Sequence, residues 1–155
     1  MSMVCYMTCY TPMDISSRSC GSCTKCCEGY TSGGVYGIKF GNGIPCHFVE
    51  IGLGCTIYED RPRHPCQIYK CHWITNIDIP EHFKPEISHI MATRRGQKFF
   101  VLTNVGPNPN SEVIDWYKAY CDQNGFSMAY RQNDRDLFYG DPEFCAKMYA
   151  SLGPA

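Results

Sequence analysis

No apolar run in the sequence approaches the roughly 20 residues that a membrane-spanning helix needs, so none is expected. The opening stretch, Met1 to Tyr10, lacks the basic and apolar segments of a secretory leader, which points to a reducing, cytoplasmic setting. Charge is scarce. Charged residues make up 19% of the chain and the formal net charge is −1, so nucleic acid or an acidic membrane would find no global attraction. The sequence also lacks HExxH, GxGxxG, a Walker loop and a recognisable nucleophile triad. Gly29 to Gly43 is glycine-rich, but no Lys-Ser/Thr and helix follow it, so it reads as a loop and not a phosphate cradle. No catalytic residue is nominated, and the balance leans away from an enzyme.

Cysteine is abundant instead. Twelve of the 155 residues are Cys, ten of them between Cys5 and Cys71, with only Cys121 and Cys145 beyond. Such crowding means either disulfides or metal ligation. Without a secretory leader, thiolate ligation is the stronger reading. The segment 20–74 is rich in Cys, Gly, Pro and Tyr, and turns are expected at Gly33-Gly34, Gly41-Asn42-Gly43, Gly52 and Gly54. Its apolar residues are too scattered for a long helix. A metal centre can order such a segment, because metal-binding free energy then acts as folding free energy.

The densest signal is Cys20-Gly21-Ser22-Cys23-Thr24-Lys25-Cys26-Cys27, a C-x2-C-x2-C-C run. The C-x2-C spacing lets two thiolates turn toward one centre, and the threefold repeat matches both zinc modules and the ferredoxin loop. Cys26 and Cys27 are neighbours whose side chains are expected to diverge, one ligating while the other serves a second metal or packs. Cys46, Cys55, Cys66 and Cys71 follow, bringing the candidate ligands to eight within 52 residues. Eight thiols can fill two four-thiolate sites, or one site with bystanders. Tyr58 and Arg61 are placed beside the thiolates, where Arg61, with Arg63 and Lys70, would offset their negative charge. The alternative for Arg61 and Arg63 is a surface pairing with Glu59 or Asp60, which contributes little. His47, His64 and His72 lie close to cysteines and are lesser candidates for zinc. His82 and His89 read as ordinary polar residues. Cys5 and Cys9, spaced C-x3-C, are a possible extra pair.

Residues 20 to 73 resemble the CxxCxxCC, or YkgJ-like, family of zinc- or iron-chelating proteins. The resemblance rests on Cys20-x2-Cys23-x2-Cys26-Cys27, then Pro45-Cys46, then Cys55-x-Ile57-Tyr58-x-x-Arg61-Pro62, with Cys66 following. It covers about a third of the chain. Where the family often has Arg directly after the last of these cysteines, this chain has Gln67. A similar cysteine cluster in flagellin lysine methylases brings an iron–sulfur centre into view. The resemblance implies a protein that binds zinc or iron through clustered thiolates. Zinc is the first choice, in a structural or accessory role, and the alternative is a [4Fe–4S] electron-transfer protein or accessory subunit of a modifying enzyme.

The rest of the chain reads differently. Residues 1–19 are expected to be an irregular extension, and 75–85, with Pro80 and Pro85, a linker crossing the surface. Within 75–155, strands are expected at Ile87–Thr93 and Lys98–Val105, with the turn at Arg94–Gln97. A helix follows over Glu112–Asn124, presenting Val113, Trp116, Tyr117 and Tyr120 on one face and stopping at Gly125. A second hairpin around Asn133-Asp134 and a helix opened by Asp141-Pro142 complete a ββαββα order. The expected class is α+β, an irregular cysteine-rich module packed on a small antiparallel sheet with two helices, together forming one compact domain. Arg94, Arg95 and Lys98 would solvate a hairpin tip and not grip RNA. The partner implied is a protein.

Overall fold

The structure, a computed structural model, describes residues 18–153. Cys5 and Cys9, with most of the 1–19 segment, lie outside the described residues. The cysteine-rich part has little regular structure, as its composition leads one to expect. It contains a 3-10 turn at Lys25–Glu28, a hairpin of β1 (Gly33–Val35) and β2 (Ile38–Phe40), and a two-residue ladder of β3 (Val49–Glu50) with β4 (Gly54–Cys55). Two further helical turns span Tyr58–Asp60 and Arg63–Gln67, and the short helix α1 covers His72–Thr75.

Residues 75–85 are not a surface linker. Ile79 and Phe83 are only 2% and 6% exposed and belong to the main core, and each such burial contributes about 1.5–3 kcal/mol. Pro80 and Pro85 mark the bounds of a 3-10 turn at Glu81–Phe83 and of the short helix α2 (Pro85–Ser88). The first strand therefore starts three residues later than the sequence suggests, after His89 adopts a left-handed conformation.

The second half follows the expected ββαββα order: β5 (Ile90–Arg95), β6 (Phe99–Asn104), α3 (Ser111–Asn124), β7 (Ser127–Gln132), β8 (Arg135–Tyr139) and α4 (Pro142–Ser151). Its boundaries have physical causes. The Asn110 side chain accepts the Glu112 amide at the start of α3, and Gly125 ends that helix at φ +69. Asp141 caps α4 by accepting the Phe144 amide, with Pro142 at the first position. The sheet order is β5-β6-β7-β8. Its two outer pairs are antiparallel, but β6 and β7 run parallel. This corrects the expectation of a wholly antiparallel sheet: α3 carries the chain back to the starting end, as a parallel pair requires.

The buried face of α3 is Val113, Ile114, Tyr117 and Cys121, while Trp116 and Tyr120 pack at its margin. Phe100 and Met128 from the sheet lie in the same core. Cys71 and Trp73 belong to that core too, and Cys26 and Ile74 pack against it, so the cysteine-rich part and the sheet share one apolar interior. Among the described residues no helix is long and apolar enough to cross a membrane.

Candidate metal centre

Local geometry explains how the first cysteines gather. The Cys23 amide donates to the Cys20 carbonyl at 2.8 Å, closing a turn in which Gly21 takes φ +54. The 3-10 turn then carries Cys26 and Cys27, and the Cys27 amide donates to the Thr24 carbonyl at 2.9 Å. Contrary to the expected divergence, the Cys26 and Cys27 Sγ atoms lie 3.7 Å apart. Gly29 ends the turn at φ +100, and a Cβ there would meet the backbone of Gly43 and Ile44 at 2.7 Å. Only glycine admits this approach. The approach brings Cys46 alongside, where its amide donates to the Cys27 carbonyl at 2.8 Å.

Thr24 fastens the next segment. Its hydroxyl donates to Glu28 Oε2 at 2.7 Å and accepts the Gly52 amide at 3.0 Å, tying the loop between β3 and β4 to the first cysteine run. Cys55 sits on β4 opposite Val49, and Cys66 on the Arg63–Gln67 turn. Cys71 stands at the start of α1.

Seven of the eight nominated cysteines, all but Cys71, line one cavity of about 340 Å³. Cys71 joins Cys20, Cys23 and Cys26 around a neighbouring space of about 30 Å³. No described cysteine is disulfide-bonded. Nor, among the described residues, do three or more His, Cys, Asp or Glu side chains form a group ready to hold a metal ion. Thiolates on one tetrahedral zinc would stand roughly 3.8 Å apart, given Zn–S bonds near 2.3 Å. The thiols of the larger cavity surround a volume without converging on a point.

Burial raises the thiol pKa values of Cys20, Cys23, Cys46 and Cys66, and pushes Cys71 up to about 11. Neighbouring sulfurs add to the rise at most of these positions. Cys27 moves the other way, because the Cys26 thiol hydrogen-bonds to it and Arg61 stands near. Buried thiols of this kind become thiolates when a cation supplies the compensating charge.

Tyr58 and Arg61 both line the larger cavity, and the Arg61 guanidinium stacks over the Tyr58 ring with Cζ 3.7 Å from the centroid. Lys70 lines both spaces, while Arg63 is exposed and lines neither. None of the described ion pairs joins Arg61 or Arg63 to Glu59 or Asp60. His47, His64 and His72 line neither space. His72 faces the core instead, with Nδ1 2.8 Å from the Tyr117 hydroxyl and its ring 4.6 Å from Phe100. His89 contacts the Pro107 carbonyl, and His82 packs edge-on to Phe83. Cys121 is buried in the core under α3.

Three contributors escaped the sequence reading. Lys84 lines the smaller space, pairs with Glu86 at 2.7 Å and lies 5.4 Å from the Trp73 ring centroid. Tyr69 borders both spaces and bonds to Thr93 at 2.8 Å. Arg18 lines the larger cavity, its side chain 8% exposed. It donates to the carbonyls of Trp73, Asn76 and Ile79 at 2.9, 3.0 and 2.6 Å, yet its buried Nε has no partner. Only Lys84 comes from well beyond the cysteine-rich segment. Arg18 stands two residues before Cys20 and Tyr69 between Cys66 and Cys71, but neither local sequence shows which distant segment it meets.

The chemistry of the donor set is that of a thiolate-held metal group: eight sulfurs, five cationic side chains (Arg18, Lys25, Arg61, Lys70 and Lys84) lining the two spaces, and an orphaned buried N–H on Arg18, although the sulfurs do not converge on one point. No family model matches the sequence, and no curated protein or solved structure matches it.

Proposed function

We propose that this chain binds metal through its clustered cysteine thiolates, and that an iron–sulfur centre suits the larger cavity better than a single zinc ion. One observation carries the reading: seven of the nominated cysteines border the same space of about 340 Å³, several times the ~30 Å³ share of a water molecule in the liquid. Sulfurs arranged around a volume match a polynuclear cluster, whereas a lone ion needs them gathered tightly. The cysteine spacing, which resembles that of the YkgJ-like family, supports thiolate ligation and suits zinc and iron alike.

Cys20, Cys23, Cys26, Cys27, Cys46, Cys55, Cys66 and Cys71 would supply the ligands. Arg61 and Lys84 would offset the negative charge the thiolates acquire, and Tyr58 would hold Arg61 in place by stacking. Arg18 would direct an N–H toward the sulfurs. A bound cluster supplies one-electron transfer. This chemistry needs a reducing compartment such as the cytoplasm. Exposed Ile44, Ile51 and Leu53, beside Cys46 and Cys55, offer a protein partner an apolar approach to the centre.

Zinc is the second reading, favoured by the 3.7 Å spacing of the Cys26 and Cys27 sulfurs. Anaerobic purification from cells supplied with both metals separates the two. A brown sample absorbing near ~400 nm, with iron and acid-labile sulfide, supports the cluster. A colourless sample with stoichiometric zinc replaces it with the second reading. A reduced, folded chain holding neither metal refutes both.

A further inference from the structure

We infer that the eight thiols form two separate four-thiolate centres, Cys20, Cys23, Cys26 and Cys71 in one and Cys27, Cys46, Cys55 and Cys66 in the other. The inference rests on the thiolate-metal reading above and divides its ligands.

The cavities draw the boundary. Cys71 borders only the smaller space, where its cysteine companions are Cys20, Cys23 and Cys26, three residues that border the larger space as well. Cys27, Cys46, Cys55 and Cys66 border only the larger one.

The backbone gives each group its own support. The first combines the C-x2-C-x2-C turn with a fourth sulfur from the start of α1, one compact run with one remote ligand. The second is built around the Cys46 amide bond to the Cys27 carbonyl, with Cys55 and Cys66 delivered by the β3–β4 ladder and the following turn. Cys26 and Cys27 are where the groups touch, their sulfurs 3.7 Å apart across the boundary, so the division excludes a single zinc ion held by this pair. Cys26 packs toward the main core, while Cys27 borders only the larger space.

Charge supports two centres as well. Four thiolates around a divalent ion, or a comparable cluster, carry about two negative charges, and each group has a nearby cation. Lys84 borders the smaller space and lies 3.6 Å from where a Gly21 side chain would begin. Arg61 borders the larger.

The test measures iron, acid-labile sulfide and zinc per chain, with native mass spectrometry of the intact protein under graded chelation. Two centres predict a half-loaded species from the unaltered protein, and loss of half the metal on Cys23→Ser or on Cys66→Ser. The double variant should lose all of it. Cys20→Ser and Cys46→Ser serve as alternates within each group, and near-ultraviolet dichroism from Trp116 and Tyr117 reports whether each variant folds. Complete loss from one single variant, no loss from either variant of one group, or release in one step without a half-loaded species would overturn the division while leaving metal binding intact. An unaltered protein without metal would overturn both readings.

Discussion

The Tyr69 and Thr93 hydroxyl oxygens lie 2.8 Å apart, joining the cysteine-rich part to strand β5. Tyr69 borders both thiol-lined spaces, and burial pushes its pKa up to about 12, so it stays protonated and able to donate. Tyr69→Phe keeps the ring and removes the bond. The expected cost is about 1 kcal/mol, read from urea denaturation, with metal content retained. A Tyr69→Phe protein as stable as the unaltered chain would mean the hydroxyl pair does not fasten the two parts.

Gly29→Ala should be far more damaging than its single added methyl suggests. At φ +100 the new Cβ would stand 2.7 Å from two backbone atoms of the loop that brings in Cys46. Gly37, at φ +81 with nothing within 4 Å of a Cβ, is the control. Gly37→Ala should lose about 1 kcal/mol and keep its metal. Gly29→Ala should lose more stability and, in elemental analysis, the metal that depends on Cys46. Equal behaviour of the two variants would contradict the close-approach explanation.

Cys121 gives a pH prediction away from the proposed centres. It is 2% exposed, and burial pushes its thiol from 9.0 up to about 11. Folding therefore favours the protonated form. That stabilisation is full below pH 9 and is lost as the pH rises toward 11, a change on the order of 2 kcal/mol. Cys121→Ala should flatten the stability profile across that window, and in the unaltered chain iodoacetamide should label Cys145 before Cys121. Prompt labelling of Cys121 in the folded protein would refute its burial.

The legible parts of this chain are those with local causes. Asn110, Gly125, Asp141 and Pro142 announce the ends of α3 and α4 because caps act within one turn. The cysteine spacing picks out the sulfurs that come to surround one cavity. The direction of β7 relative to β6 has no such local mark; it depends on where α3 sets the chain down. Ile79 and Phe83 were hidden because Pro80 and Pro85 flank irregular backbone, where apolar residues show no period. The allocation of Cys71 to the smaller space, like the arrival of Arg18 and Lys84, depends on contacts between segments far apart in sequence.

The Arg18 guanidinium grasps four carbonyls of the stretch from Trp73 to Ile79. Every cysteine nominated as a ligand lies on the polypeptide between those two anchor points. One side chain thus closes a circuit of about sixty residues, reducing the freedom of that circuit as a cross-link would, without spending a sulfur on it.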